Sequence, residues 1–402
     1  VLFAIYIGDL KRSLMAVHLV NHPMIMESRK FLCSYFDNNL CRSCSLLEDE
    51  NRDLALLPKE LLLFDSKLKP WVRCSDPYAS RAKAKMTVSG TISDPVIGIL
   101  DKDLQGVELL HCALHKKSIN KVISEVKKLI KPFDLTPYSI NERAGDLKGL
   151  IIQTNKAEDH IRVRFILSSE SAVSKCSSLA RELELITEQT LSVTCNIQPI
   201  PHQIPEGPKE ILILGPDLLW EEYETTRIAF PSQSFMQVTP EVASKLYSHA
   251  AKIAETYKPD LLVDLFSGAG GFTLSLAPYV EKAVGIEISE EAIRAARLSS
   301  SKANLTNISF YQGDLLASME MLIDLAPDML LCNPPRRGVG DSVIDALIKI
   351  KPRVILYSSC NILSFLADAN RLSEYYEIVE ITPFEMFPMT QHYEIFSVLV
   401  RK

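Results

Sequence analysis

A chain of 402 residues, 47% hydrophobic and 23% charged, has apolar content for two or three ordinary globular cores, which excludes a peptide-scale scaffold. Its 44 Lys and Arg against 50 Asp and Glu leave a net charge of -6, so any contact with RNA or DNA is confined to a local patch and a globally basic coat is excluded. No apolar run approaches the roughly 18 residues of a bilayer span, and 22 Pro with 15 Gly are too evenly spread for a low-complexity chain; a soluble protein with no membrane partner is expected.

The opening VLFAIYIGDL has about seven apolar residues and no basic segment before them, unlike a secretory signal. Nine cysteines are an odd number, which favours a reducing cytoplasm over a disulfide framework. The first residue is Val1, and Met24 and Met26 precede the point where ordered patterning begins, so residues 1–30 are read as an extension that is not ordered or not native. Residues 31–229 then read as an α+β region, with β-rich runs LIIQTN, HIRVRFIL and LSVTCNIQPI separated by helical stretches such as SKCSSLARELELIT.

After the aromatic and Gln-containing segment Phe230 to Gln237, regular alternation begins and defines a second region, 230–402. LLVDLF, KAVGIEI, NISFYQG, DMLLCN and RVILYSS read as strands; GFTLSLAP, SEEAIRAARLSSSKANL, SVIDALIKIK and NILSFLADANRL read as the helices among them. Such alternation predicts a doubly wound, mainly parallel α/β sheet of Rossmann type. The last two strands, YEIVEI and YEIFSVLV, lack an intervening helix and are expected to pair as a hairpin at one edge. No internal repeat and no stable protein partner is predicted.

In Asp264-Leu-Phe-Ser-Gly-Ala-Gly-Gly-Phe272 a strand gives way to a helix, and Gly268, Gly270 and Gly271 let the backbone turn sharply beside a ligand. About 20 residues on, Glu287 ends the next strand, where a carboxylate accepts hydrogen bonds from ribose hydroxyls, and Asp314 follows the third. NAD and S-adenosylmethionine both fit this pattern; Asn333-Pro334-Pro335-Arg336 after the fourth strand leans toward methyl transfer. Three strand ends then share one edge of the sheet, carrying NPPRRG, YSSC ending at Cys360 and MFPMTQHYE ending at Glu394. A free thiol of pKa about 8.5 is only slightly ionised at neutral pH, but its thiolate is a strong nucleophile, so Cys360 is a candidate to attack an electrophilic carbon. Cys176, Cys195 and Cys332 are read instead as buried strand-end cysteines.

The segments KAKMTVSG, QSFMQ, DLFSGAGGF, GIEIS, NPPRRG, YSSCN and MFPMTQHYE together resemble the RNA (uracil-C5)-methyltransferases, within them the branch that acts on 23S rRNA and lacks an N-terminal OB-like (TRAM) domain. The resemblance runs from about Phe31 to the C-terminus and implies an S-adenosylmethionine-dependent methyltransferase fold acting on a specific 23S rRNA uridine, uracil-747. It further implies Cys360 as nucleophile, Glu394 as base, and Gln237, Phe266, Glu287 and Asn333 lining the S-adenosylmethionine site beside Gly268 and Gly270. Many relatives have Asp where this chain has Asn333, and Asn where it has Thr239; Asn333 keeps a hydrogen-bonding side chain and loses the charge. Rivals are the same chemistry on a tRNA loop, an amino-group methyltransferase, which places an aromatic residue where Arg336 stands, and a catalytically silent RNA-binding module.

Cys33, Cys41 and Cys44 lie in a polar segment, with Cys112 further on. Four thiolates suit tetrahedral zinc or an iron-sulfur cluster, and spacing does not choose between them; the resemblance implies a [4Fe-4S] cluster on these four, with Cys74 to spare. Residues 71–132 hold eleven Lys and Arg against six acids, a local surplus suited to RNA phosphates. Lys83 and Lys85 share one face of a short strand and are the better contacts; Lys121, Lys127, Lys128 and Lys131 suit a solvated helix face. Arg336 is read evenly as an RNA or substrate contact and as a residue pinning its own loop. Trp71 and Tyr78 are read as core aromatics or base-stacking surfaces.

Overall fold

The computed structural model describes residues 31–47, 61–200, 206–315 and 317–402; the expected extension over residues 1–30 lies outside them. Cys33–Lys402 cluster as one compact unit. Within it the strands make two seven-stranded sheets and one hairpin.

The first sheet contains β1 (Lys83–Gly90), β2 (Pro95–Leu100), β3 (Gly106–Glu108), β4 (Leu147–Thr154), β5 (His160–Leu167), β6 (Thr190–Ile197) and β7 (Lys209–Leu214), in the order β3-β2-β1-β4-β5-β6-β7. Only β5 and β6 run parallel, and that pair needs the crossover helix between them. Helices α1 (Lys117–Ile130) and α2 (Val173–Ile186) cover one face. Ile119, Val122, Ile123, Val126 and Ile130 recur at helical spacing and meet Ile161, Val163 and Phe165, which alternate along β5. The other face carries Lys83, Lys85, Gln153, Arg162, Arg164 and Ser192, so the strand alternation is apolar against polar even where both faces are buried. Cys195 lies in β6, but Cys176 is in α2 rather than at a strand end, placed on the buried helix face by its spacing to Leu179, Ala180 and Leu183.

The hairpin of β8 (Leu218–Glu222) and β9 (Arg227–Pro231) leads into α3 (Pro240–Tyr257), an element the strand-helix alternation passed over. Its signal is Pro240 in the first turn and a stripe of Val242, Leu246, Ala250 and Ala254 on one face. The second sheet follows: β10 (Leu261–Asp264), α4 (Gly271–Leu276), β11 (Lys282–Glu287), α5 (Glu290–Lys302), β12 (Ile308–Gln312), α6 (Met319–Leu325), β13 (Met329–Cys332), α7 (Asp341–Ile350), β14 (Val354–Ser359), α8 (Ile362–Leu372), β15 (Tyr376–Phe384) and β16 (Glu394–Arg401). The order β12-β11-β10-β13-β14-β16-β15 is parallel through β14 and antiparallel beyond, with β15 at the edge as the hairpin expectation required. The chain winds outward on both sides of β10, so a crevice opens where β10 and β13 part, the usual ligand position in such sheets. No described helix is long and apolar enough to cross a membrane.

One core cluster packs α3 and α4 on the sheet, and another packs α7 and α8 on it. Phe396 of β16 is fully buried, stacked on Phe272 at 6.0 Å between ring centroids and edge-on to His249 at 5.7 Å. Phe396→Ala is expected to lower stability by about 3–5 kcal/mol, seen as a lower urea midpoint with an unchanged slope.

Candidate active site

The glycine turn is stapled at both ends. Gly270 takes a left-handed φ of 91° immediately before α4, which a side chain would strain, and a Cβ on Gly271 would come within 2.5 Å of the Tyr247 hydroxyl from α3. Asp264 ends β10 fully enclosed, accepting from Thr273 Oγ1 at 2.7 Å and from the Phe266 amide at 3.3 Å. Burial pushes this carboxyl up to about 7. Glu287, at the end of β11, accepts from the Gly268 amide at 3.0 Å and from the Ser289 amide at 2.9 Å. A Cβ added at Gly268 would meet nothing within 4 Å, and the buried Ser267 hydroxyl has no partner. The turn therefore offers open space, a strand-end carboxylate and an unused hydroxyl, a donor-acceptor set that fits a nucleoside.

The remaining predicted ligand residues lie in the turn itself, just after the neighbouring strand and in the segment before α3. Phe266 is half-buried within the turn, and Asn333 is half-buried just after β13, the strand beside β10. Gln237 is buried in the segment leading to α3. Thr239 is fully buried and its hydroxyl donates to the Met386 carbonyl at 2.8 Å, so the Thr that departs from the relatives' pattern ties this segment to the MFPMTQHYE loop.

Cys360 follows β14 directly and Glu394 opens β16. Antiparallel pairing continues to Ser359 opposite Ile395, so one step further sets Cys360 beside Glu394. The Cys360 thiol is pushed up by burial and by the Glu394 carboxyl; a hydrogen bond and the positive charge from Arg336 oppose this. Glu394 is buried and raised from 4.5 to about 7, chiefly because burial penalises its charge, while Ser358 Oγ donating at 2.6 Å to Oε1 holds it lower than it would otherwise be. Ser358 was not singled out from sequence. Its signal was its place two residues before Cys360, on the same side of the strand.

The expected cysteine cluster is not confirmed by the structure. Cys44 is pushed up to about 12 by burial first and by the charges of Cys112, Cys33 and Cys41, so the four thiols share one neighbourhood. Half-buried Arg81 lies near these thiols, with its enclosed Nε lacking a partner. Yet among the described residues no three His, Cys, Asp or Glu side chains stand close enough to hold a metal ion. Cys74 lies apart, its thiol 3.6 Å from Glu241. Lys83 is half-buried, and burial with its cationic neighbours Lys85, Arg164 and Arg162 pushes it down to about 8; Lys85 is exposed and paired with Glu206 at 2.8 Å. Trp71 packs edge-on against Tyr393 at 5.4 Å.

A sequence model of the tRNA (Uracil-5-)-methyltransferase family matches residues 218–402, the span from β8 to the C-terminus. Over 379 residues the chain is 35% identical to the 23S rRNA (uracil(747)-C(5))-methyltransferase RlmC of Edwardsiella ictaluri, covering 92% of this chain and 99% of that protein. It belongs to the RNA uracil-C5 methyltransferases. RlmC of Photorhabdus laumondii is likewise 35% identical over 379 residues, covering 92% of this chain and 98% of that one. The structure of the Pyrococcus abyssi tRNA (uracil-54, C5)-methyltransferase, in complex with S-adenosyl-L-homocysteine, shares the fold at a TM-score of 0.71 and 21% identity, over 90% of this chain and 86% of that one. This family therefore supplies the S-adenosylmethionine-dependent α/β fold that the strand order displays.

A buried acid whose folded pKa is raised stabilises the fold least when charged. As pH rises from about 4.5 through about 7, the protein gives up stability at Glu394, and above that the penalty is complete. Glu394→Gln is expected to be more stable than the wild type by about 3 kcal/mol at pH 8 and indistinguishable at pH 4, measured by urea unfolding at both pH values.

Proposed function

We propose that this protein methylates C5 of a uridine in 23S rRNA, at uracil-747 as in the RlmC relatives, using S-adenosyl-L-methionine. The observation that carries the reading is the Cys360 thiol held between Arg336 and the buried Glu394 at the sheet edge where the glycine turn also opens. When bound, S-adenosyl-L-methionine supplies an electrophilic methyl group. Gln237, Phe266, Gly268, Gly270, Glu287 and Asn333 would hold it, an assignment supported by the open space at Gly268 and the carboxylate of Glu287.

C5 of uracil is a weak nucleophile. Addition of the Cys360 sulfur to C6 breaks the C5–C6 double bond and leaves an enolate whose electron pair makes C5 nucleophilic. C5 takes the methyl group and becomes tetrahedral while still carrying its proton. Glu394 removes that proton, and the electron pair re-forms the double bond as sulfur leaves C6. A base with a pKa near 7 accepts the proton and returns it to solvent at neutral pH. Arg336 favours the thiolate, the form that adds. The target base must leave its stack to reach this edge.

In this reading residues 230–402 form the catalytic domain and residues 31–229 the RNA-binding region, with Lys83 and Lys85 meeting RNA phosphates. Cys33, Cys41, Cys44 and Cys112 would ligate a [4Fe-4S] cluster. The shared neighbourhood of the four thiols and the partnerless Arg81 Nε among them support it, since a cluster held by four thiolates is net negative. An rRNA substrate places the enzyme in the cytoplasm.

Incubation with 5-fluorouridine RNA and S-adenosyl-L-methionine is expected to trap a covalent adduct, because fluorine at C5 cannot leave as a proton. Cys360→Ala should give none, while Glu394→Gln should lower turnover on ordinary RNA by about 10²–10⁴-fold and accumulate adduct. Unchanged turnover in Cys360→Ala would point to an amino-group methyltransferase instead, and the identity of the unmethylated uridine in a deletion strain decides between rRNA and tRNA. Anaerobically purified protein should be brown and contain iron and sulfide; a colourless protein with stoichiometric zinc would overturn the cluster.

A further inference from the structure

The loop from Asn333 to Gly340 carries Arg336 to the thiol, yet Arg336 itself is exposed and its loop has no regular structure. Two side chains from the Cys360 side fix its course. Asn361 follows Cys360 directly and donates from Nδ2 to the Arg336 carbonyl at 2.8 Å, while its Oδ1 accepts from the Leu363 amide at the start of α8. Asp368, buried one and a half turns further along α8, reaches both neighbours with one oxygen. Its Oδ2 accepts from the Val339 amide at 3.0 Å and from the Tyr357 hydroxyl at 2.5 Å.

That oxygen links the loop that carries Arg336 to the strand that ends in Cys360, because Tyr357 lies three residues before the thiol on β14. The contact also explains Gly338, where a Cβ would stand 2.6 Å from Asp368 Oδ2, so only a residue without a side chain lets the carboxyl lie against the loop. The Gly338 amide closes the turn on the Pro335 carbonyl at 2.9 Å. The Arg336 backbone is thus clamped from both sides, by Asn361 at its own carbonyl and by Asp368 three residues on.

We propose that Asp368 is a positioning residue, which holds the Arg336 loop beside Cys360 by bridging Val339 and Tyr357. The proposal rests on Cys360 being the nucleophile and adds how its ionisation is set. The charged groups that face the thiol are Arg336 from this loop and Glu394 from β16; Glu394 is held by Ser358 and not by Asp368, so loosening the loop removes only the group that favours the thiolate. Loss of the bridge therefore raises the pH at which Cys360 reacts.

The test is the pH profile of iodoacetamide alkylation at Cys360, followed by mass mapping of its peptide so that the other eight cysteines do not contribute. Asp368→Ala is expected to move the midpoint upward by about 1 pH unit and to speed hydrogen exchange at the Val339 amide at least tenfold. Asp368→Asn keeps an acceptor oxygen and should recover most of the shift, and Tyr357→Phe, which removes one hydroxyl and is the safer variant for folding, should move the midpoint in the same direction by less. Leu372→Ala, fully buried on the same helix but away from the loop, controls for a general loss of stability and should leave the midpoint in place. A midpoint unmoved in both Asp368→Ala and Tyr357→Phe, or one that moves equally in Leu372→Ala, overturns the proposal. Failure of the nucleophile reading is seen separately, as absence of the 5-fluorouridine adduct in the wild-type protein.

Discussion

Because β16 runs antiparallel to β14, its first residue falls beside the residue that follows its neighbour, and this brings the Glu394 carboxyl to the Cys360 thiol. A sixth parallel strand would have put its amino end at the opposite edge of the sheet, some five residues away from the glycine turn. The C-terminal hairpin therefore does more than close the sheet. It places an acid among the carboxyl ends of β10, β13 and β14, where parallel strands alone present only the residues that follow them.

The electrostatics of this edge are a balance among three groups at different depths. Glu394 is enclosed, and burial holds its proton to about 7, so it titrates where a base is useful. Cys360 is half-buried, pulled up by Glu394 and down by Arg336, and Arg336 reaches it from an exposed loop. Strand register sets the places of the carboxyl and the thiol, whereas the loop that carries the cation depends on side-chain anchors from Asn361 and Asp368. The same stabilisation could not be obtained by burying the guanidinium, since an enclosed Arg without matched acceptors carries a large desolvation penalty.

The first sheet contributes at a distance. Its polar face gathers Lys83, Arg162 and Arg164 beside the segment that leads to Gln237, with Arg162 donating to the Phe230 carbonyl at 2.9 Å. The cysteine segment touches the other end of the same site, where the Leu46 amide donates to the Met389 carbonyl at 3.2 Å in the loop before Glu394. Both thus bear on segments that carry candidate site residues, which gives the first sheet and the cysteine segment a structural stake in the geometry of the candidate site.

Periodicity determined much of this protein. Every strand of the second sheet, its parallel winding and the terminal hairpin follow from alternation and from the glycine turn, because those patterns reflect local backbone preference and face-by-face burial. The motifs also named Cys360, Glu287 and Glu394, whose chemistry is carried by residue type. Helix α3 was legible in its capping and apolar stripe but lay outside the alternation, and Cys176 fell on a helix because burial alone does not distinguish a strand from a helix face. What tertiary structure alone decided is proximity: that Ser358 donates to Glu394, that Asp368 joins Val339 to Tyr357, that Thr239 holds the Met386 carbonyl, and that Lys83 is half-buried while Lys85 is exposed. These partners are 11 to 147 residues apart in sequence, and no local propensity encodes a contact made by strand register and helix packing across that distance.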